Sequence, residues 1–208
     1  MNGLIKFLID KGILKTPRIV DAFRKVDRID FVPEKLKNLA YADEALPIGF
    51  GQTISQPYTV AFMLELLEPK NGDQILDIGS GSEWQSALLA EIAGDSGRVY
   101  SIEINPDVFD IGKKNISKYP ALSKRIKTYC QNANNGLPKI AESVGGFDKI
   151  IAAAEVKEVP PSWREQLKIN GKLVYPKGHS IFLEIKKSNV DFEITQFPGF
   201  VFVPFVDN

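Results

Sequence analysis

Two glycines in Leu76-Asp77-Ile78-Gly79-Ser80-Gly81-Ser82 and, about 20 residues further on, the acid that ends Arg98-Val99-Tyr100-Ser101-Ile102-Glu103 are the residues best placed to do chemistry. Glycines accept positive φ and let a ligand approach the backbone closely, and a helix that follows them offers unpaired N–H groups to polar or anionic parts of that ligand. A carboxylate closing the second strand of such a unit reaches the hydroxyls of a ribose. The combination points to a nucleotide-type cofactor.

The loop is not of the dinucleotide kind. It continues Gly79-Ser80-Gly81-Ser82-Glu83-Trp84, with no third glycine where a pyrophosphate would need one. Asp77 entering the loop and Glu83 within it repel phosphates and suit a cofactor that carries positive charge, such as the ammonium and sulfonium of S-adenosylmethionine.

Composition removes other classes. Lys plus Arg equals Asp plus Glu, 26 each, so no global field draws the chain to nucleic acid or to an anionic membrane. With one cysteine, Cys130, and one histidine, His179, neither a Cys/His zinc site nor a Ser/His/Asp triad is expected, and no metal site is expected at all. His179 reads as a solvated turn residue and Cys130, ending an alternating run, as core. The absence of a disulfide pair, of a signal-type N-terminus and of a membrane-spanning apolar run leads us to expect a cytoplasmic protein. A monomer is expected.

The elements that must position the loop follow from periodicity. With 208 residues and 44% hydrophobic content the chain reads as one domain, 1–208. Residues 1–55 form an N-terminal helical cover and a substrate loop. Leu4, Ile5, Phe7 and Leu8, then Ile19, Val20, Phe23 and Val26, recur at helical spacing, with Thr16-Pro17 as cap and first turn. Residues 31–52, rich in proline and glycine, read as an ordered excursion. Residues 56–176 are the α/β core: a helix to Leu67 with Ser55 at its cap, strands near 74–78, 98–103, 126–130, 147–152 and 171–175, and helices near 84–93, 106–118 and 160–168. That alternation predicts a mainly parallel, Rossmann-like sheet with helices on both faces. In 177–208, the runs 181–185, 192–196 and 200–205 predict antiparallel edge strands.

Several segments together resemble one family across nearly the whole length. The most specific is Ala45-Leu46-Pro47-Ile48-Gly49-Phe50-Gly51-Gln52-Thr53-Ile54-Ser55-Gln56-Pro57-Tyr58. It is joined by Arg28-Ile29-Asp30-Phe31-Val32-Pro33, Asp77 to Ser82 with Gln85, Phe147 to Ala154, Gln166 to Pro176 and Phe202-Val203-Pro204-Phe205-Val206. The chain resembles the protein-L-isoaspartate (D-aspartate) O-methyltransferases. The resemblance implies the class I S-adenosylmethionine-dependent methyltransferase fold, that cofactor with S-adenosylhomocysteine as product, and isoaspartyl-containing proteins and peptides as partners. By resemblance, Thr53, Ile54, Ser55, Asp77, Gly79, Ser80, Gly81, Ser82, Glu103, Ile104, Asn132 and Ala133 hold the cofactor. Pro47, Ile48, Gly49, Gln52, Ser55 and Val203 hold the substrate, and Ser55 is the catalytic residue.

Three departures stand out. Glu83 lies where the family usually has glycine, and as the acid opening a helix it is expected to face solvent. Asn132 takes the place of an aspartate on the adenine side, its carbonyl still able to accept a hydrogen bond. Glu155-Val156-Lys157 replaces small residues and proline. Two other readings therefore stand beside the methyltransferase: a non-catalytic member that binds isoaspartyl peptides but holds cofactor weakly, and a carboxyl methyltransferase with another substrate.

Overall fold

The computed structural model describes residues 2–206. Helices α1 (Asn2–Asp10) and α2 (Pro17–Lys25) follow the apolar spacing of the sequence, and α2 buries Ile19, Val20, Ala22 and Phe23. Pro17 occupies the first turn, but the Thr16 hydroxyl does not cap it. That hydroxyl instead donates to Glu65 at 2.6 Å, tying the helical cover to the next helix, α3 (Pro57–Leu67). Between α2 and α3 the excursion contains two 3-10 turns, Arg28–Phe31 and Glu34–Leu39, and an antiparallel hairpin of β1 (Leu46–Gly49) and β2 (Gln52–Ile54).

A seven-stranded sheet forms the centre. In chain order its strands are β3 (Gln74–Ile78), β4 (Arg98–Glu103), β5 (Ile126–Cys130), β6 (Phe147–Ala152), β7 (Leu167–Lys177), β8 (Ser180–Lys186) and β9 (Phe192–Pro198). Across the sheet they lie in the order β5-β4-β3-β6-β7-β8-β9, parallel from β5 to β7 and antiparallel thereafter. The linking helices are α4 (Trp84–Ala93), α5 (Pro106–Ile116), α6 (Pro120–Ser123), α7 (Pro138–Val144) and α8 (Pro161–Gln166). Successive strand residues point to opposite faces. Ile75 and Val99 accordingly join the core beneath α1 to α4, while Leu76, Ile78, Tyr100 and Ile102 join the one against Trp163 of α8.

Three expectations are corrected. The run 200–205 is not a strand: it is an extended strap joined to the loop after β6 by a single bridge, Pro204 to Glu155, because proline has no N–H for a ladder. β7 begins at Leu167, inside the expected helix, since Leu167 pairs with Phe147 of β6. Cys130 is exposed at the end of the edge strand β5, where one flank has no neighbour to cover it. Among the described residues no helix is long and apolar enough to cross a membrane.

Candidate active site

A cavity of about 340 Å³ opens at the C-terminal ends of β3 and β4 and beside the loop that follows β6. The strand order reverses there, since β4 lies on one side of β3 and β6 on the other, and open α/β sheets bind ligands at such a point. One wall is Gln52 to Gln56, and the facing wall is the strap from Val201 to Val206.

The glycine loop forms the floor. Gly79 and Gly81 have φ of 75° and 54°, a region that favours glycine. A Cβ on Gly79 would already touch Ala154 at 3.7 Å, so the loop lies close against the segment after β6. Glu103 is buried and lines the cavity. One of its oxygens accepts the Gly81 N–H at 3.0 Å and the other the Asn105 N–H at 2.9 Å. Each oxygen retains a further lone pair, so the carboxylate is a fixed bidentate acceptor rather than a solvated strand end.

The loop's donors are largely spent inside the protein, contrary to the sequence expectation. Gly79 and Ser80 donate to the Ile102 carbonyl, Gly81 to Glu103 and Glu83 to the Ser80 carbonyl. A phosphate would find few N–H groups here.

Of the residues expected at the cofactor, Thr53, Ile54, Ser55, Gly79, Ser80, Gly81, Ser82, Glu103, Ile104 and Ala133 line the cavity. Asp77 does not. It is fully buried behind the loop, where it accepts Gln85 Nε2 at 2.8 Å and Ser86 Oγ at 2.6 Å and so fixes the start of α4. Asn132 is also outside the lining, its carbonyl turned to the Asn134 N–H at 2.7 Å; the neighbouring Gln131 lines instead. Among the expected substrate residues Gln52, Ser55 and Val203 line the cavity. Pro47 and Gly49 are exposed on the hairpin, and the buried Ile48 packs on the glycine loop, 3.7 Å from where a Gly81 Cβ would be.

Glu83 does not face solvent. It is 2% exposed, in the left-handed region at φ 66°, with Oε1 accepting the Ser101 hydroxyl at 2.7 Å and Oε2 buried without a partner. Gly112 of α5 leaves the room: a Cβ there would lie 2.8 Å from Glu83 Cγ.

Ser55 is not the helix cap. Gln56 occupies that position, and Asp43 satisfies the helix start by accepting the Tyr58 N–H at 2.8 Å. The Ser55 hydroxyl engages no other described residue and is left free beside the cavity.

Arg28 escaped sequence reasoning as a site residue. Its guanidinium, fully buried, donates to the carbonyls of Ala40, Ala42, Glu44 and Ser55 at 2.8–3.1 Å. It also lies 5.3 Å from the ring of Trp84, which lines the cavity as Arg28 does not. Burial lowers its pKa to about 10, with Asp43 opposing, and it remains a cation. In sequence it lies between Asp27 and Ile29, and no local pattern marks it as a cation that distant carbonyls enclose. Among the described residues no group of three His, Cys, Asp or Glu side chains is placed to hold a metal ion.

The family model for protein-L-isoaspartate(D-aspartate) O-methyltransferase matches residues 1–208. The chain belongs to this family. A protein-L-isoaspartate O-methyltransferase of Flavobacterium psychrophilum is 41% identical over 211 residues, covering 100% of this chain and 94% of its own length. One from Ignicoccus hospitalis is 36% identical, covering 98% and 96%. A Plasmodium falciparum protein-L-isoaspartate O-methyltransferase crystallised with S-adenosyl-L-homocysteine superposes with a TM-score of 0.88 at 25% identity, over 99% of this chain and 98% of that one.

In this isoaspartyl methyltransferase family member two buried acids lie behind the loop. Burial raises the Asp77 pKa from 3.8 to about 7, against its Ser86 hydrogen bond and with the Glu83 charge adding to the rise. Burial likewise raises Glu83, its Ser101 hydrogen bond opposing. The folded state thus holds the Asp77 proton more tightly than the unfolded chain does. That contribution to stability is full below about pH 4 and is lost as pH rises to about 7. Asp77→Asn is expected to flatten the decline of stability over that interval, measured by urea unfolding at successive pH values. A slope equal to that of the natural chain would show that Asp77 titrates normally.

Proposed function

We infer that this chain transfers a methyl group from S-adenosylmethionine to the carboxylate of L-isoaspartyl, and D-aspartyl, residues in damaged proteins, the first step of their repair. Family membership over the whole chain carries the reading, and the residues of the cavity fit the cofactor. Glu103 presents a fixed carboxylate suited to a ribose diol, the loop has few amides left for phosphate, and 340 Å³ lies in the range of small-molecule sites. Glu103, the glycine loop, Ile104 and Ala133 would hold the cofactor, which supplies an electrophilic methyl group when bound.

The rest is positioning. An isoaspartyl carboxylate, with an ordinary pKa near 4, is already ionised at neutral pH, so no protein base is required. Orientation of the reacting groups supplies about 7–11 kcal/mol of such a barrier. The free Ser55 hydroxyl can donate to the substrate carboxylate, and Gln52 and Val203 line the same cavity. The strap, held by hydrogen bonds between Glu155 and both Val203 and Phe205 at 2.8 Å, forms the wall of the cavity that faces Ser55. A cytoplasmic monomer suffices for this chemistry.

The test is a pair of peptides that differ only in isoaspartate against aspartate. We expect methyl ester on the isoaspartyl peptide alone; equal labelling of both, or of neither, overturns the reading. Because Ser55 caps nothing, Ser55→Ala is expected to lower kcat about 10–100-fold with unfolding unchanged. An unchanged kcat would remove Ser55 from the reaction.

A further inference from the structure

We propose that Phe50 sets substrate preference by receiving an apolar side chain adjacent to the isoaspartyl residue, an inference that rests on the reaction proposed above. Phe50 occupies the tip of the β1–β2 hairpin and is 57% exposed. Three successive residues there have positive φ: Gly49 at 106°, Phe50 at 53° and Gly51 at 73°. Glycine or asparagine meets that requirement with less strain than a bulky aromatic does. The ring joins neither core, so folding does not account for it. The sequence thus places an apolar ring at a strained position and leaves it in water, the combination that contact with a ligand explains.

Its position selects the ligand. Gln52 and Thr53, which directly follow the hairpin tip, line the cavity wall, and Ile48 rests on the glycine loop below. A side chain next to an isoaspartyl residue that leaves the cavity past Gln52 and Thr53 meets the hairpin tip. Val201 of the strap, 80% exposed and itself a lining residue, adds apolar surface at the mouth. An aliphatic or aromatic neighbour would bury the Phe50 ring, whereas serine or glycine would leave it wet. The hairpin carries no charged side chain from Leu46 to Ile54, so attraction to a charged neighbour has only the ring itself to draw on.

The experiment measures kcat/KM for isoaspartyl peptides flanked on either side by leucine, serine or lysine, with the natural chain and with Phe50→Asn, a residue that tolerates positive φ. The natural chain is expected to favour leucine over serine by about tenfold on at least one side, mainly through KM. Phe50→Asn is expected to bring that ratio to within about twofold, while turnover of the serine peptide and S-adenosylhomocysteine affinity stay unchanged and thermal stability does not fall. A natural chain without that preference, a preference for lysine, or a ratio that survives Phe50→Asn overturns the proposal. Failure of the natural chain to methylate any of the peptides overturns the underlying reaction instead, and the proposal with it.

Discussion

Arg28→Met is expected to lower the unfolding free energy by about 3–5 kcal/mol and to abolish methyl transfer in whatever protein remains folded. Methionine fills much of the volume but leaves the carbonyls of Ala40, Ala42, Glu44 and Ser55 without their donor, the first in buried and the others in partly buried surroundings. Each unsatisfied group then bears its desolvation penalty. The same carbonyls fix the path of the chain from Ala40 into the cavity wall, so the loss falls on the substrate side first. Arg28→Lys keeps the charge but not the planar fork, and should retain part of the stability with little activity. Urea unfolding, read as a change of midpoint at constant slope, checks the expectation. A loss of under about 1 kcal/mol would mean that water replaces the guanidinium and that the loop holds itself.

The second large effect is on the cofactor. Glu103→Ala should raise the Kd for S-adenosylhomocysteine about 10–100-fold, because it deletes a charged acceptor whose hydrogen bonds are worth about 1.5–3 kcal/mol each. It also frees the Gly81 and Asn105 N–H groups, so part of the change reflects a loosened loop. Glu103→Gln is the milder change, since it keeps one acceptor oxygen for one of the two backbone N–H groups and for the ligand, and it should raise the Kd less than alanine does. Equal affinity in all three proteins would show that Glu103 only braces the loop.

The sheet, the glycine loop and Glu103 were legible because each leaves a local signature: apolar runs of strand length, glycines at a strand end, an acid one crossover later. Glu83 was not. Near a helix start an acid ordinarily faces solvent, and Ser101 on the neighbouring strand and the space left by Gly112 draw it inward. Neither partner is close in sequence. The same holds for Asp43, which takes the capping role that Ser55-Gln56-Pro57 advertises, and for the strap, whose alternating pattern reads as a strand although Pro204 cannot extend a ladder. Asn132 failed differently: its neighbours Gln131 and Ala133 line the cavity, but its own side chain closes a turn onto Asn134.

Glu83 also bears on the non-catalytic reading, since a charged residue in place of glycine was its main support. In the structure the carboxylate lies behind the loop and outside the cavity lining, so it takes no space from a ligand. The methyl transfer depends wholly on that cavity taking up the cofactor, which calorimetric titration of the unmodified chain with S-adenosylhomocysteine measures directly. We expect saturable binding at a single site per chain, with Kd in the micromolar range or below. The absence of heat at millimolar ligand would contradict it and would leave a family member without the reaction proposed here.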